Sequence, residues 1–320
     1  MKPIEPIPLA DIEAAHARLH GLVARTPLLR LNIEDAPAEI YLKLENLHPI
    51  GSFKLRGAVN AMLLAGRELL ADGVYTASAG NMAQGVAWAA RRLGVPCRVV
   101  VPEQAPATKL DAIARLGGTV VKVPFDTWWR VLMDHQYPGM AGLFIHPVAN
   151  PTVMAGHGTI GLEILEDLPD VDAIVVPFGG GGLSSGIASA VRVRRPATKV
   201  WAAEVETAAP FAASLAAGSA QSVDRIATFV DGIGGKSVLD EMWPLVSTLL
   251  AGSLVVTLRQ IANAIALLVE RSRVVAEGAG GASVAAALAG KAGGGKVVCV
   301  VSGGNIDAAA LAVILEGGIP

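Results

Sequence analysis

Lys54 stands in the stretch "NLHPIGSFKLRGAVNAM" (46–62), directly after a small-residue turn and at the start of an apolar helical pattern. Most lysines are solvated charges. A helix N-terminus and partial desolvation both disfavour an ammonium ion, and so lower the pKa as a nucleophilic or Schiff-base lysine requires. Such an amine calls for an aldehyde. A second stretch, "VVPFGGGGLSSGIASAV", runs a buried-type strand into Gly179, Gly180, Gly181 and Gly182, followed by Leu183 and a helical pattern. Four residues without Cβ let backbone N–H groups converge on an anion, and the following helix N-terminus adds positive charge, so a phosphate fits there. In "TASAGNMAQGVAWAARRLG" a strand turns through Ser78, Ala79 and Gly80 into a helix that Asn81 caps or begins. These residues offer backbone donors to a carboxylate and a side-chain amide to a ring hydroxyl, although capping alone also accounts for Asn81. "VVSGGNIDAAAL" puts Ser302 at a strand end, where its hydroxyl can face a bound ring.

Other chemistries fit less well. A dinucleotide fingerprint needs G-x-G-x-x-G after a strand and an acid about 20 residues on. Glu204 in "WAAEVE" supplies an acid, but Gly179 and Gly181 lead to Ser184, and Gly180 and Gly182 lead to Ser185. The nicotinamide reading is therefore the weaker alternative. No pair among the 6 histidines has metal-ligand spacing on one helix face, so His146 and His157 are expected to be structural. Cys97 and Cys299 lie in apolar strand-like runs, as small buried hydrophobes do, which fits a reducing cytoplasm.

These residues need elements to position them. Short β-rich runs at 39–46, 73–78, 96–102, 118–124, 172–178, 199–205 and 296–304 alternate with helical patterns at 81–93, 106–116, 153–168, 183–194 and 258–271. That is the alternation of a parallel α/β protein, whose ligands collect beyond the carboxyl ends of its strands. The length of 320 residues allows one large core or two lobes, and 52% hydrophobic residues with only 4% aromatics predict an Ala/Val/Leu-rich layered interior. A net charge of −2 with mixed signs excludes the footprint of a nucleic-acid or membrane-surface protein and favours a small-molecule partner. No segment has the roughly 18 unbroken apolar residues of a membrane span or a signal-type core, so a soluble protein is expected.

In this order, "RTPLLRL", "LKLENLHPIGSFKLRGA", "SAGN", "AGHGTIGLEIL", "GGGGL" and "SGGN" resemble, over nearly the whole chain, the fold-type II pyridoxal-phosphate enzymes, within them the serine/threonine dehydratase and serine racemase branch. The resemblance implies a two-lobed, tryptophan synthase β-like α/β fold with a mostly parallel sheet in each lobe: residues 50–146 form a small mobile lobe, and 1–49 with 147–320 a large cofactor-binding one. It implies that Lys54 carries pyridoxal 5'-phosphate as an aldimine, that Phe53 flanks the ring and Asn81 bonds its phenolic oxygen. It also implies that Gly179 to Gly182 and Leu183 hold the phosphate, Ser302 faces the pyridine nitrogen and Glu277 lies near the ring. Ser78, Ala79, Gly80 and Asn81 would surround the substrate carboxylate. The activity implied is dehydration of a β-hydroxy L-amino acid to a 2-oxo acid and ammonia, by a cytoplasmic homodimer.

Departures from the family pattern bear on substrate. Racemases of the branch carry a second serine where this chain has Ala79, which disfavours racemisation. Met82 replaces a histidine found in many relatives. Trp128 and Trp129, in a segment that lies near the substrate entrance in relatives, serve either lobe packing or the pocket; in the pocket they favour a bulkier substrate such as 3-phenylserine or another large β-hydroxy amino acid, 3-hydroxyaspartate being a further option. Relatives bind a divalent cation through carboxylates after the strand that ends near Glu204, but the downstream acid is Pro210 here. Glu206 or backbone carbonyls could compensate, yet the expectation is no obligatory metal. The chain ends shortly after "SGGN", so no appended regulatory domain is expected. A catalytically silent amino-acid sensor that keeps the cofactor is the remaining alternative.

Overall fold

The computed structural model describes residues 3–320. Among them, ten strands run in chain order as β1 (Leu28–Arg30), β2 (Glu39–Leu44), β3 (Val74–Ala77), β4 (Cys97–Pro102), β5 (Thr119–Val123), β6 (Leu143–Phe144), β7 (Ala173–Pro177), β8 (Lys199–Val205), β9 (Ser253–Val256) and β10 (Lys296–Val301). The α-helices are α1 (Leu9–Leu19), α2 (Lys54–Leu69), α3 (Asn81–Leu93), α4 (Ala107–Arg115), α5 (Phe125–Asp134), α6 (Pro151–Asp167), α7 (Gly182–Arg194), α8 (Pro210–Ala217), α9 (Trp243–Leu249), α10 (Leu258–Leu267), α11 (Gly278–Leu288) and α12 (Ala308–Leu315). Two sheets result. One has the order β1-β2-β10-β7-β8-β9, antiparallel only at β1–β2, and the other the order β5-β4-β3-β6, parallel throughout.

Alternation along the central strands explains the layering. Ile174, Val176, Val298 and Val300 face one apolar layer, while Ala173, Val175, Val297, Cys299 and Val301 face another. Successive side chains of a strand point to opposite faces, so a strand apolar at every position must be covered on both sides. Helices α1, α6 and α7 cover the first face, and α10 and α11 the second. The four-stranded sheet repeats the scheme: Val74, Cys97, Val99 and Val101 pack with α2 and α3, and Tyr75, Ala77, Val100 and Val123 with α5. Each Val or Leu so buried is worth roughly 1.5–3 kcal/mol. Both cysteines are buried and free, and burial pushes the Cys97 thiol up to about 12.

Local chemistry sets the helix ends. The side chain of Asn150 accepts the N–H of Thr152 (2.9 Å) and Val153 (3.1 Å) with Pro151 at the first position of α6, and Gly94 ends α3 at φ 69° by donating to Ala90 and Arg91. Helices α2 and α6 touch backbone to backbone, since a Cβ on Gly156 would lie 2.6 Å from the Arg56 carbonyl oxygen. This fixes the first turn of α2, which carries Lys54.

Several boundaries differ from the sequence pattern. The strand expected over 39–46 stops at Leu44, where Glu45–Leu47 form a 3-10 turn that buries the Glu45 carboxylate. The one expected over 296–304 stops at Val301, because Ser302 and Gly304 turn to accept and donate bonds with the 51–53 segment. The helix expected over 258–271 ends at Leu267 and continues as a π turn, Leu268–Ser272, closed when Val274 N–H returns to the Leu268 carbonyl at 3.1 Å.

Candidate active site

Three parallel strands end at one cavity of about 880 Å³: β3 leads to 78–80, β7 to 178–181 and β10 to 302–305. Beyond the carboxyl ends of parallel strands the backbone N–H groups of the next helix are free to bind a ligand. The cavity gathers every site residue expected from the sequence: Phe53, Lys54, Ser78, Ala79, Gly80, Asn81, Met82, Trp128, Trp129, Gly179 to Gly182, Leu183, Glu277 and Ser302.

Lys54 is the first residue of α2, and its Nζ donates to the Pro147 carbonyl at 2.7 Å while lying 5.1 Å from the Phe53 ring centre. Burial lowers its pKa from the ordinary 10.5 to about 8, with the Glu277 charge opposing. Near neutrality a sizeable fraction of the amine is thus uncharged and nucleophilic. Phe53 is held edge-on against His157 at 4.7 Å.

Gly181 caps α7 at φ 92°, and a Cβ there would lie 2.7 Å from Val246 Cγ1; one on Gly180 would lie 2.7 Å from Val148, and one on Gly182 2.8 Å from the Val148 carbonyl oxygen. Glycine is required by both conformation and space. The result is a bare backbone cradle at the N-terminus of a 13-residue helix.

Asn81 begins α3 with Gly80 as the cap, so its side chain is free for the cavity: Nδ2 donates to Glu277 Oε1 (2.9 Å) and Oε2 (3.2 Å), and Oδ1 accepts from Asn305 Nδ2 at 2.8 Å. Glu277 is buried at the start of α11 rather than solvated at a helix end. Burial pushes its pKa up to about 7, with the Asn81 amide pulling the other way and Asp231 adding to the rise. The unfolded chain releases this proton near 4.5 and the folded one near 7, so this group stabilises the fold below pH 4.5 and loses that contribution as pH climbs to about 7. In denaturant melts of the apoprotein, the stability of wild type relative to Glu277→Gln should fall by ~3 kcal/mol over that interval, a comparison in which the opposing titration of buried His146 cancels. A difference that does not vary with pH would place the titrating group elsewhere.

Ser302 is buried, and its carbonyl accepts Phe53 N–H at 3.0 Å, tying the β10 turn to the lysine turn. Trp128 and Trp129 both line the cavity from α5, with Trp128 also packing on the four-stranded sheet and its indole N–H buried without a protein acceptor.

Glu204 lies outside the cavity lining. Its Oε1 accepts Phe211 N–H (2.9 Å), and its Oε2 accepts Ala212 N–H (2.8 Å) and the Ser253 hydroxyl (2.5 Å), so the carboxylate caps α8, whose first residue is Pro210. Glu206 accepts Leu258 N–H at 2.8 Å. The Glu204 carboxylate is thus engaged by two backbone N–H groups and a hydroxyl. His146 lines the cavity within reach of His135 and Glu241, a grouping of separate elements that no helix spacing could reveal. Both its nitrogens are engaged: Nδ1 accepts Val148 and Ala149 N–H, and Nε2 donates to the Leu132 carbonyl. Burial, followed by the charge on His135, lowers its pKa to about 3. His157 is buried with neither nitrogen bonded.

Sequence reasoning missed the wall formed by the loop 223–239 and by 102–109, where Lys109 bonds Asp231. The signal available was "DGIGGKS": Gly232 packs beside Ala279 and Glu277, and Gly234 adopts φ 73°.

A profile of the family described as "Pyridoxal-phosphate dependent enzyme" matches residues 19–303. The chain is 42% identical over 318 residues to an L-threonine ammonia-lyase of Thermotoga maritima, covering 98% of this chain and 79% of that one. It is 37% identical to a catabolic L-threonine dehydratase of Escherichia coli (strain K12), covering 94% of each. A structure of maize serine racemase superposes with a TM-score of 0.89 at 32% identity, covering 98% of both chains.

Proposed function

The chain belongs to the pyridoxal-phosphate dependent enzymes, and from that membership we infer a lyase that converts a β-hydroxy L-amino acid of the threonine/serine type to a 2-oxo acid and ammonia. The carrying observation is that Lys54 and the four-glycine N-terminus of α7 line one cavity. The residues fit the cofactor, because the cradle leaves backbone N–H groups uncovered where a Cβ on Gly180 or Gly182 would collide with Val148 and one on Gly181 with Val246. Gly179 to Gly182 and Leu183 would hold the phosphate, Asn81 and Ser302 the ring, Phe53 would lie against it, Glu277 beside it, and Lys54 would bond its aldehyde carbon.

When bound, pyridoxal phosphate supplies an electron sink that acidifies the α-carbon of an amino acid. The turn of Ser78, Ala79, Gly80 and Asn81, with Met82 behind it, would hold the substrate carboxylate at the start of α3. Lys54 Nζ, whose pKa burial lowers to about 8, would take the α-proton as general base. Ser302 would be a neutral partner that does not enforce ring protonation, which would favour β-elimination over transamination. Ala79 offers no hydroxyl for a second proton transfer, so racemisation is disfavoured. The family match removes the nicotinamide alternative.

Holoenzyme with L-threonine or L-serine should release 2-oxo acid and ammonia in equal amounts. Release from neither, nor from 3-phenylserine, with the cofactor's imine absorbance intact, would overturn the reading in favour of a silent sensor. Gly181→Ala should weaken pyridoxal phosphate binding by about tenfold or more and cost about 1–3 kcal/mol of stability, since it forces φ 92° on alanine against Val246; a cofactor titration and a denaturant melt check both.

We assign residues 50–146 to a smaller, mobile lobe and 1–49 with 147–320 to the larger one. The four strands β3 to β6 fall in the former and the other six in the latter, which supports the division. Among the described residues no helix is long and apolar enough to cross a membrane. A cytoplasmic homodimer is the assembly we propose, and light scattering of the holoenzyme tests it.

A further inference from the structure

The chain carries only 4% aromatic residues, yet Phe125, Trp128 and Trp129 fall within five positions of α5, and all three line the Lys54 cavity together with Leu132. Their rings form a continuous series, with centres 5.5 Å apart for Phe125 and Trp128 and 6.3 Å for Trp128 and Trp129. Packing within the fold does not account for all of them. Trp128 joins the apolar layer of the four-stranded sheet, but Phe125 is 52% exposed and Trp129 belongs to no buried cluster. Trp129 also borders a second cavity of about 260 Å³, which shares Lys236, Ser237 and Leu239 with the first. A threonine methyl or a serine hydrogen would leave such a wall uncovered, whereas an aromatic substituent would meet it edge-to-face.

Resting on the dehydratase reading above, we propose that the site takes β-hydroxy amino acids whose β-substituent is an aromatic ring, the 3-aryl-serines. The chemistry balances: the α-proton and β-hydroxyl leave as water, water then cleaves the C–N bond, and the products are a 3-aryl-2-oxopropanoate and ammonium. No oxidant or reductant is needed. Phe125, Trp128, Trp129 and Leu132 receive the ring while Lys54 acts at the α-carbon.

The test compares holoenzyme kcat/KM for the 3-phenylserine diastereomers and L-threonine, in wild type, Trp129→Ala and Trp129→Phe. The better phenylserine diastereomer should exceed threonine by about tenfold or more, and Trp129→Ala should cut phenylserine about tenfold more than threonine, mainly through KM. Trp129→Phe should restore most of the loss. Calorimetry with non-eliminating ligands gives a reading without turnover: L-phenylalanine should bind about tenfold more tightly than L-alanine in wild type. Threonine turned over as well as or better than phenylserine, an equal effect of Trp129→Ala on both, or equal binding of phenylalanine and alanine would overturn the proposal. Turnover of threonine without phenylserine sinks this inference alone. Turnover of neither sinks the dehydratase reading, and the calorimetry still decides whether the wall binds aryl groups.

Discussion

Lys54→Ala should reduce release of 2-oxo acid and ammonia from L-threonine by about 10³-fold or more, because one amine is asked both to bond the cofactor and to move the α-proton. The fold should survive. Lys54 contributes one side-chain hydrogen bond, to the Pro147 carbonyl, and its ammonium form is penalised by burial, so removing it deletes a poorly solvated charge rather than a support. A denaturant midpoint close to wild type, together with the lost turnover, separates chemistry from misfolding; turnover within tenfold of wild type would remove Lys54 from its assigned role. The same amine gives a pH signature in the apoprotein. Only the neutral form attacks a carbonyl, so the rate of cofactor uptake should climb about tenfold per pH unit below 8 and level off above it. A free surface lysine would keep climbing to about 10.4.

The parts of this site that were legible in the sequence are those encoded by local rules. Helix α3 runs over 81–93 as its apolar spacing predicts, because Ala83, Val86, Ala87 and Ala90 make one buried face and Gly94 ends it. The glycine cradle and the strand-end turns at Ser78 and Ser302 were visible for the same reason: a residue type at a strand-to-helix junction carries its own conformational meaning. What was not legible depends on contacts far apart in sequence. β1, β6 and β9 have only 3, 2 and 4 residues, too few to show a period, and exist because β2, β3 and β8 offer them partners. The role of Glu204 as the cap of α8 needs the chain to fold back from Phe211 and Ser253. The tryptophans mark the boundary between the two kinds. Their presence was readable, but whether they face a core or a cavity is decided by how α5 lies against β3 and β4.

Arg56 lies within the quoted "LKLENLHPIGSFKLRGA" but carries a buried charge cluster that the motif does not disclose by itself, and its substitution should give the largest loss of stability. The side chain is 2% exposed and lies between two buried carboxylates. Its guanidinium bonds Glu45 at 2.8 and 2.9 Å, Glu163 at 2.6 and 2.9 Å, and the Thr159 hydroxyl at 3.1 Å. Lys43 completes the group at 2.6 Å from Glu163, and His48 at 2.9 Å from Glu45. Arg56→Met keeps much of the apolar volume but leaves Glu45 facing only His48 and the Thr26 hydroxyl. Breaking a buried pair by removing one partner costs about 3–5 kcal/mol. The pH dependence tells this electrostatic cost from a packing defect. Burial alone would raise the Glu45 pKa, but the charges of Arg56 and His48 more than offset it and hold the carboxyl well below 4.5. In wild type that group adds stability above pH 4.5, which is lost as pH falls; in Arg56→Met it should subtract stability at neutral pH and be relieved as acid neutralises it. The deficit should therefore shrink between pH 7 and pH 5, whereas a packing defect would be constant. Adding Glu45→Gln to Arg56→Met should recover about 1–3 kcal/mol, since it removes the orphaned charge. Because Arg56 lies two residues from Lys54 in the first turn of α2 and pins that turn to α6 through Glu163, the single variant should also lose turnover, and the double variant should regain it in step with stability. Stability regained without turnover would separate the charge cluster from the placement of Lys54.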